Sequence, residues 1–553
     1  MSPRPASLSA PRLLARLRRV RREPAPVLAD AGDGIVPAGD TIKGAPDIRG
    51  GGRLRGYRLT ALIVATALFM QNLDATVLAT ALPTMAREFA VQPTAMSLAL
   101  TSYLLALAVF IPASGFTADR FGARTVFQAA ILVFVAGSVA CGFSTSLETL
   151  IVARFFQGIG GAMMVPVGRL VLLRSVDKRD LVSAMSWLAM PALVGPILGP
   201  PVGGAIVTYL DWRWIFWINV PMGMLGVVLV HRHIADVREG GTRRFDRIGF
   251  VLSAIALGSV LFGLQLSARA GHAWIALPLL ALGLVAGVLY LMHAKRAEAP
   301  ILDLTLLRIP TFRLSVMGGT FIRITQGAQP FLMPLLLQLA FGLSAAASGA
   351  VTVATALGSF AMKGVARPLL RRFGFRTTLT AIGVLSPLAY TGTAFFRPGW
   401  PTPAIFIVLL VCGFLTSLQF TAYNTIAYAD VDQPRMSRAT SFYATFQQLS
   451  LSLGICISAS ALTVAMRWHE HSRPHFDDFS IAIGCVTAIS LLAVFVNTRF
   501  APDAGTEMSG HQPRSPAAFH QDYAKVTTSK QAGLDASTAS RCPVDGIARI
   551  TRS

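Results

Sequence analysis

GFTADRFGAR, residues Gly115 to Arg124, and RPLLRRFGFR, residues Arg367 to Arg376, carry a phenylalanine, a glycine and an arginine at one spacing. Phe121, Gly122 and Arg124 return as Phe373, Gly374 and Arg376 after 252 residues. Each stretch is a short basic loop between apolar runs, so the offset can be counted in membrane spans. The first loop follows the second apolar segment and the other follows the tenth. An offset of eight spans rather than six implies two six-helix halves with two extra helices, the seventh and eighth, between them.

Outward from these loops the chain divides into about fourteen apolar segments, from Leu59–Leu82 to Phe479–Val496. Most are long enough for a helix to cross a hydrocarbon core of about 30 Å, and none shows the alternation of a membrane β-barrel. Of 553 residues, 53% are hydrophobic and only 14% charged, too few to solvate a soluble surface of that size. The expected fold is therefore an all-α polytopic membrane protein with 14 transmembrane helices. The expected divisions are a disordered basic cytoplasmic tail at 1–56, a six-helix half at 57–235, and a linker with two extra helices at 236–298. A second six-helix half at 299–499 and a disordered cytoplasmic tail at 500–553 complete the chain.

The formal net charge is +22, yet the basic residues lie between spans rather than on one folded face, which argues against nucleic acid. Arg120 and Arg124, Lys178 and Arg179, Arg238, Arg243 and Arg244, Lys295 and Arg296, and Arg371, Arg372 and Arg376 all fall in alternate loops. The intervening loops, such as Phe143 to Leu147, are short and poor in Lys and Arg. By the positive-inside rule both termini are cytoplasmic and the protein is a multi-pass protein of the cell inner (plasma) membrane, in contact with lipid. Its five cysteines follow no disulfide or metal-ligand spacing, so no metal is expected. There is no GxxxxGK[ST] phosphate loop, HExxH or GxSxG, and no soluble domain large enough for nucleotide hydrolysis. The expectation is a protein that is not an enzyme and needs no cofactor, with an ion gradient as its energy source.

Asp74 lies well inside the first span, where a carboxylate is costly; desolvation should raise its pKa and let it take up a proton. Arg154 sits near one end of the fourth span with no acid after it in that helix, so it either finds a partner elsewhere or snorkels to the interface. GPILGPPVGG, Gly195 to Gly204, strips side chains from the fifth span, allows a neighbouring backbone close, and adds Pro200 and Pro201, which should bend it. Applied to the polar residues, the 252-residue offset pairs Gln71 with Arg323 and Asp74 with Gln326. A polar cavity lined by Gln71, Arg323 and Gln326 follows as an expectation, with Arg323 pairing Asp74 or attracting an anionic group. Lys363 is expected to snorkel. Beyond Asp74 no Asp or Glu is firmly intramembrane, which leans the cargo toward neutral or weakly acidic amphipathic compounds.

These residues resemble the major facilitator superfamily, and within it the fourteen-span drug:proton antiporter family (EmrB/QacA type). Gly115, Asp119, Arg120, Gly122 and Arg124 match the signature gating loop between helices 2 and 3; Arg154, Gln157, Gly158 and Gly161 match the helix 4 motif. Gly195, Gly199, Pro200, Gly203 and Gly204 match the antiporter motif of helix 5. The runs LDATVLATALP (Leu73 to Pro83) and WRWIFWINVP (Trp212 to Pro221) look like the fourteen-span branch. The resemblance implies a major facilitator fold and proton-coupled export of small amphipathic compounds by alternating access. It also implies that Asp74 and Arg154 couple protons, with a cytoplasmic latch at Asp119 docking at the start of helix 13, near Ser437. Its implied partners are the small-molecule substrate and protons, with a periplasmic adaptor and outer-membrane channel in a two-membrane bacterium. The alternatives are an exporter of one metabolite, siderophore or antibiotic, and a non-transporting receptor or assembly factor.

Overall fold

The computed structural model describes residues 53–175, 181–234, 245–267, 273–432 and 435–511. Most of the expected tails, and the basic loop residues Lys178, Arg179, Arg238, Arg243 and Arg244, lie outside them. The described residues form helices only: α1 Arg53–Glu88, α2 Ser97–Phe110, α3 Ser114–Phe121, α4 Ala123–Gly142, α5 Leu147–Ser175, α6 Leu181–Tyr209, α7 Trp214–Trp217 and α8 Asn219–His233. Then come α9 Arg247–Ser267, α10 Ala273–Ala294, α11 Pro310–Leu335, α12 Ala345–Gly392, α13 Thr402–Ile426, α14 Met436–Trp468, α15 Phe476–Leu491, α16 Ala493–Asn497 and α17 Thr506–Ser509.

Eleven of the described helical segments are long and apolar enough to cross a membrane. One of them, Ala345–Phe395, is two helices joined at Gly374, whose backbone leaves the helical region with φ 70°. Adding α6 and α11, 29 and 26 residues long, makes the architecture consistent with fourteen spans. At the matching place of the first half, Gly122 takes φ 90° between α3 and α4. Both glycines therefore turn the chain where an L side chain would be strained, and the sequence repeat is a repeat of structure.

The two halves meet through α2 against α14 and α6 against α12. Under the eight-span offset these are two copies of one contact, since the second span maps to the tenth and the fifth to the thirteenth. At one end of the molecule the α6–α12 seam is backbone on backbone: a Cβ on Gly204 would stand 2.3 Å from the Ala345 carbonyl, and one on Gly349 would stand 2.1 Å from that of Pro200. α6 runs through Pro200 and Pro201 without interruption. Beside this seam, α11 widens into a π turn, Leu336–Ala340, from which Gln338 donates to the Thr80 carbonyl of α1 at 2.9 Å. Leu78, Leu82, Phe331 and Leu335 pack there in one apolar cluster spanning both halves, which seals that end.

The inserted pair, α9 and α10, packs together at the flank, with α9 against both α2 and α14. Gln265 donates to Thr101 at 3.1 Å, and Leu261 joins Leu105, Val109 and Cys456 in a small apolar cluster. Trp274, Leu277, Leu284 and Val285 on α10 stay exposed, as a lipid-facing helix requires. Two loop acids cap as their positions suggest. Asp246 accepts from the Gly249 amide at 2.8 Å and also holds His293 at 2.7 Å and the Ile301 amide at 3.2 Å. Asp303 accepts from the Thr305 amide and reaches Arg438 of α14 at 3.4 Å. Burial would raise the Asp303 carboxyl, but the bonds from Thr305 and Arg438 outweigh it and hold the group below its usual range. The described residues run on through α17 to 511, where His511 packs at Gly374.

Candidate functional site

Asp74 sits at mid-length of α1 with 3% of its surface exposed. Its Oδ2 accepts from Arg154 Nη1 at 2.7 Å; its Oδ1 accepts from Gln157 Nε2 and from Asn219 Nδ2, each at 2.9 Å. Arg154 Nη1 also donates to Gln157 Oε1 at 2.7 Å, and the guanidinium lies 4.4 Å from the centre of the Tyr103 ring. Asn219 Nδ2 is shared with Ser138 Oγ at 3.0 Å, and Ser138 donates to the Phe216 carbonyl at 2.8 Å. Five helices, α1, α2, α4, α5 and α8, thus converge on one carboxylate.

This arrangement decides what the sequence left open for Arg154: it is 1% exposed and bound to Asp74, so it does not snorkel. The pair is neutral as a unit, which is how two charges can lie this deep. The expectation for Asp74 considered burial alone. Here three donors, one of them the charged guanidinium of Arg154, surround the carboxylate as well. Arg323 does not pair with Asp74, whose oxygens are already engaged. It is buried in the other half, donating to Tyr443 at 2.8 Å and Asn424 at 3.3 Å, with its guanidinium 4.7 Å from the Tyr443 ring centre.

The glycines of α6 face the helix that carries the acid. Gly195 lies against Phe69, Asn72 and Leu73, Gly199 against Thr76, and Gly203 against Val77 and Thr80, while Gly204 turns to Ala345 of the other half. One helix therefore reads the position of α1 on one face and the position of the second half on the next. Between the halves lies a cavity of 390 Å³ lined by Thr76, Thr80, Pro200, Gln326, Gln329, Thr355 and Lys363, among others. Gln326 lines it; Gln71, half-buried one turn before Asp74, and Arg323 are not among its lining residues. Lys363, expected to snorkel, is the one charge on the described wall, its Nζ donating to Thr421 at 3.1 Å.

In the gating loop, Asp119 is half-buried in the last turn of α3, Gly115 and Arg120 are exposed, and Gly122 makes the turn. Arg124 donates to the His231 carbonyl at 2.7 Å, a cation at the C-terminal end of α8. Asn219 and Ser138 were missed by sequence reasoning, although Asn219 stands inside the quoted run WRWIFWINVP. An amide in an apolar span was the available signal. Asn219→Leu would leave Asp74 Oδ1 with one donor fewer and Ser138 without its amide partner. The expected result is a loss of about 1–3 kcal/mol in stability and a displaced pH profile of transport; thermal melting and initial rates against pH would check both.

Two repeated six-helix halves, a buried charge pair in one of them and a cavity at their seam make up a polytopic membrane protein of transporter architecture. The chain belongs to the major facilitator superfamily, whose family model matches residues 64–455. MdtD of Salmonella typhi, a protein assigned by name to multidrug resistance, is 37% identical over 453 residues, 81% of this chain and 95% of that one. MdtD of Salmonella typhimurium is 37% identical over 457 residues with the same coverage. Among solved structures, a D-xylose–proton symporter shares the fold with a TM-score of 0.58 at 13% identity, covering 82% of this chain and 99% of its own. The human organic anion transporter MFSD10 does so at 0.54 and 14% identity, covering 80% and 99%.

Proposed function

We propose that the protein exports small amphipathic compounds of more than one class, each in exchange for protons, by rocking its two halves about the cavity between them. The observation that carries this reading is the fully buried Asp74–Arg154 pair, whose acid stands on a helix that lines that cavity with Thr76 and Thr80. A proton arriving at Asp74 removes the negative charge that holds Arg154. The guanidinium keeps Gln157 Oε1 and the Tyr103 ring but loses its counter-ion, so α1 and α5 gain a reason to shift. Because Gly195, Gly199 and Gly203 seat α6 directly on Asn72, Thr76 and Thr80 of α1, such a shift reaches α6 and, through Gly204, the other half. The multidrug assignment of the MdtD relatives supports breadth of cargo.

With the outer ends of the halves sealed, the cavity is the inward-facing compartment. The basic loops then lie in the cytoplasm with both termini, and the membrane is the cell inner (plasma) membrane. Asp119 is the proposed cytoplasmic latch, docking at the start of α14 near Ser437. In a two-membrane bacterium a periplasmic adaptor and an outer-membrane channel would carry the cargo onward, and the proton gradient is the only energy source required.

The cavity wall sets the cargo's charge. Its described residues include one cation, Lys363, and no carboxylate, so neutral and weakly acidic compounds fit better than permanent cations. Lys363→Gln is expected to slow transport of carboxylate-bearing compounds about ten-fold and to leave neutral ones unchanged, the loss of one charge-assisted contact. Expression in an efflux-deficient host tests the whole reading. Raised resistance to at least two unrelated neutral or acidic compounds is expected. Resistance confined to one compound would replace it with a single-metabolite exporter, and equal resistance to quaternary ammonium dyes would refute the assignment of charge.

A further inference from the structure

The loop HEHSRPH, residues His469 to His475, joins α14 to α15 at the sealed end of the molecule, where Phe476 packs on Phe341 with ring centres 5.1 Å apart. α14 closes with the Glu470 amide donating to the Arg467 carbonyl at 3.2 Å and the His471 amide donating to that of Met466 at 2.8 Å. Glu470 takes φ 55° to allow this, a left-handed backbone usually left to glycine at this place. The sharp reversal brings the side chains on either side of it, His469 and His471, to face the same group.

That group is Asp478, in the first turn of α15 and wholly buried. Its Oδ1 lies 2.7 Å from His469 Nδ1 and its Oδ2 lies 2.8 Å from His471 Nδ1, while Oδ2 also accepts from the His475 amide at 2.8 Å. Capping α15 needs only the last of these bonds. The two imidazoles are additional, and each keeps 31% of its side chain open to solvent. One donor atom from each of the three side chains lies within 4.8 Å of the others. The His475 ring stands 4.7 Å from that of His471, close enough to screen the cluster on one side.

We propose that His469 Nδ1, His471 Nδ1 and the Asp478 carboxylate form a binding site for a divalent transition-metal ion, with zinc the ion its chemistry suits best. Two imidazole nitrogens and one carboxylate make a three-ligand set that leaves a fourth position for water. Zinc takes such ligands at about 2.0–2.2 Å, so each N···O separation must open by about half an ångström, a small movement for two partly exposed rings. The Nδ1 protons move to Nε2, which faces away from the carboxylate, so both rings bind as neutral ligands and Asp478 remains ionised. The bound ion ties the end of α14 to the start of α15, on the face where the two halves close.

The test uses the full-length protein, purified in detergent, stripped with chelator and titrated with Zn²⁺ alone by calorimetry, with thermal melting alongside. One saturating equivalent and a raised melting temperature are expected. In His469→Asn/His471→Asn each amide can still bond the carboxylate, so the helix cap survives, while zinc affinity should fall at least about ten-fold. Co²⁺ in place of zinc should give visible absorption bands in the wild type and none in the double variant. Absence of saturable zinc binding by the wild type would reduce the cluster to a helix cap and overturn the proposal. So would zinc binding of equal stoichiometry and affinity in the double variant.

Discussion

Asp74→Asn is expected to reduce proton-driven transport to background while the helices remain assembled. The substitution keeps the size of the side chain and deletes its charge. Arg154, 1% exposed, then has no counter-ion, and the new amide presents hydrogens toward a site already crowded with the donors Arg154, Gln157 and Asn219. Breaking a buried pair from one side typically costs about 3–5 kcal/mol, so a lowered melting temperature is expected as well. Asp74→Asn/Arg154→Gln separates the two effects. With both charges gone the double variant should recover most of the stability and none of the coupled flux. Recovery of flux together with stability would mean that the pair is structural.

Gly349→Val should arrest transport by a different route. Its first side-chain carbon would stand 2.1 Å from the Pro200 carbonyl, a backbone atom that cannot rotate away. The α6–α12 seam could not close, and the protein should remain open at that end with its fold intact within each half. The expected readings are transport near background, normal membrane insertion, and faster labelling from outside of a cysteine introduced at Thr352, a cavity residue. Gly364→Ala is the control, because nothing lies within 4 Å of a Cβ there, and it should transport normally.

The sequence was most legible where physics repeats. The offset between the Phe121 and Phe373 loops located two copies of one turn, and Gly122 and Gly374 prove to share a positive φ. Capping by Asp246 and Asp303 is equally local, since caps follow from a few neighbouring residues. Long-range partners were not. Nothing within the fourth span reveals that Arg154 turns to the first, because side-chain direction depends on how five helices pack. Arg323 turns into its own half, onto Tyr443 and Asn424, and Lys363 onto the cavity wall for the same reason. Depth along a helix can be counted from sequence, but facing cannot when both neighbours are apolar. Asn219 escaped notice because the tryptophans around it invite an interfacial reading. One of them, Trp212, is in fact buried against Phe89 and bonded to Glu88, pinning the end of α1 rather than sitting in lipid headgroups.

The central claim is that substrate leaves because protons enter at Asp74. Purified protein in sealed vesicles, with an imposed pH gradient and a pH-sensitive dye, measures proton and substrate movement together. Addition of a transported neutral compound should produce proton flux opposite to the compound's movement, abolished by Asp74→Asn and by collapse of the gradient. Substrate movement that continues unchanged after either intervention would contradict the account.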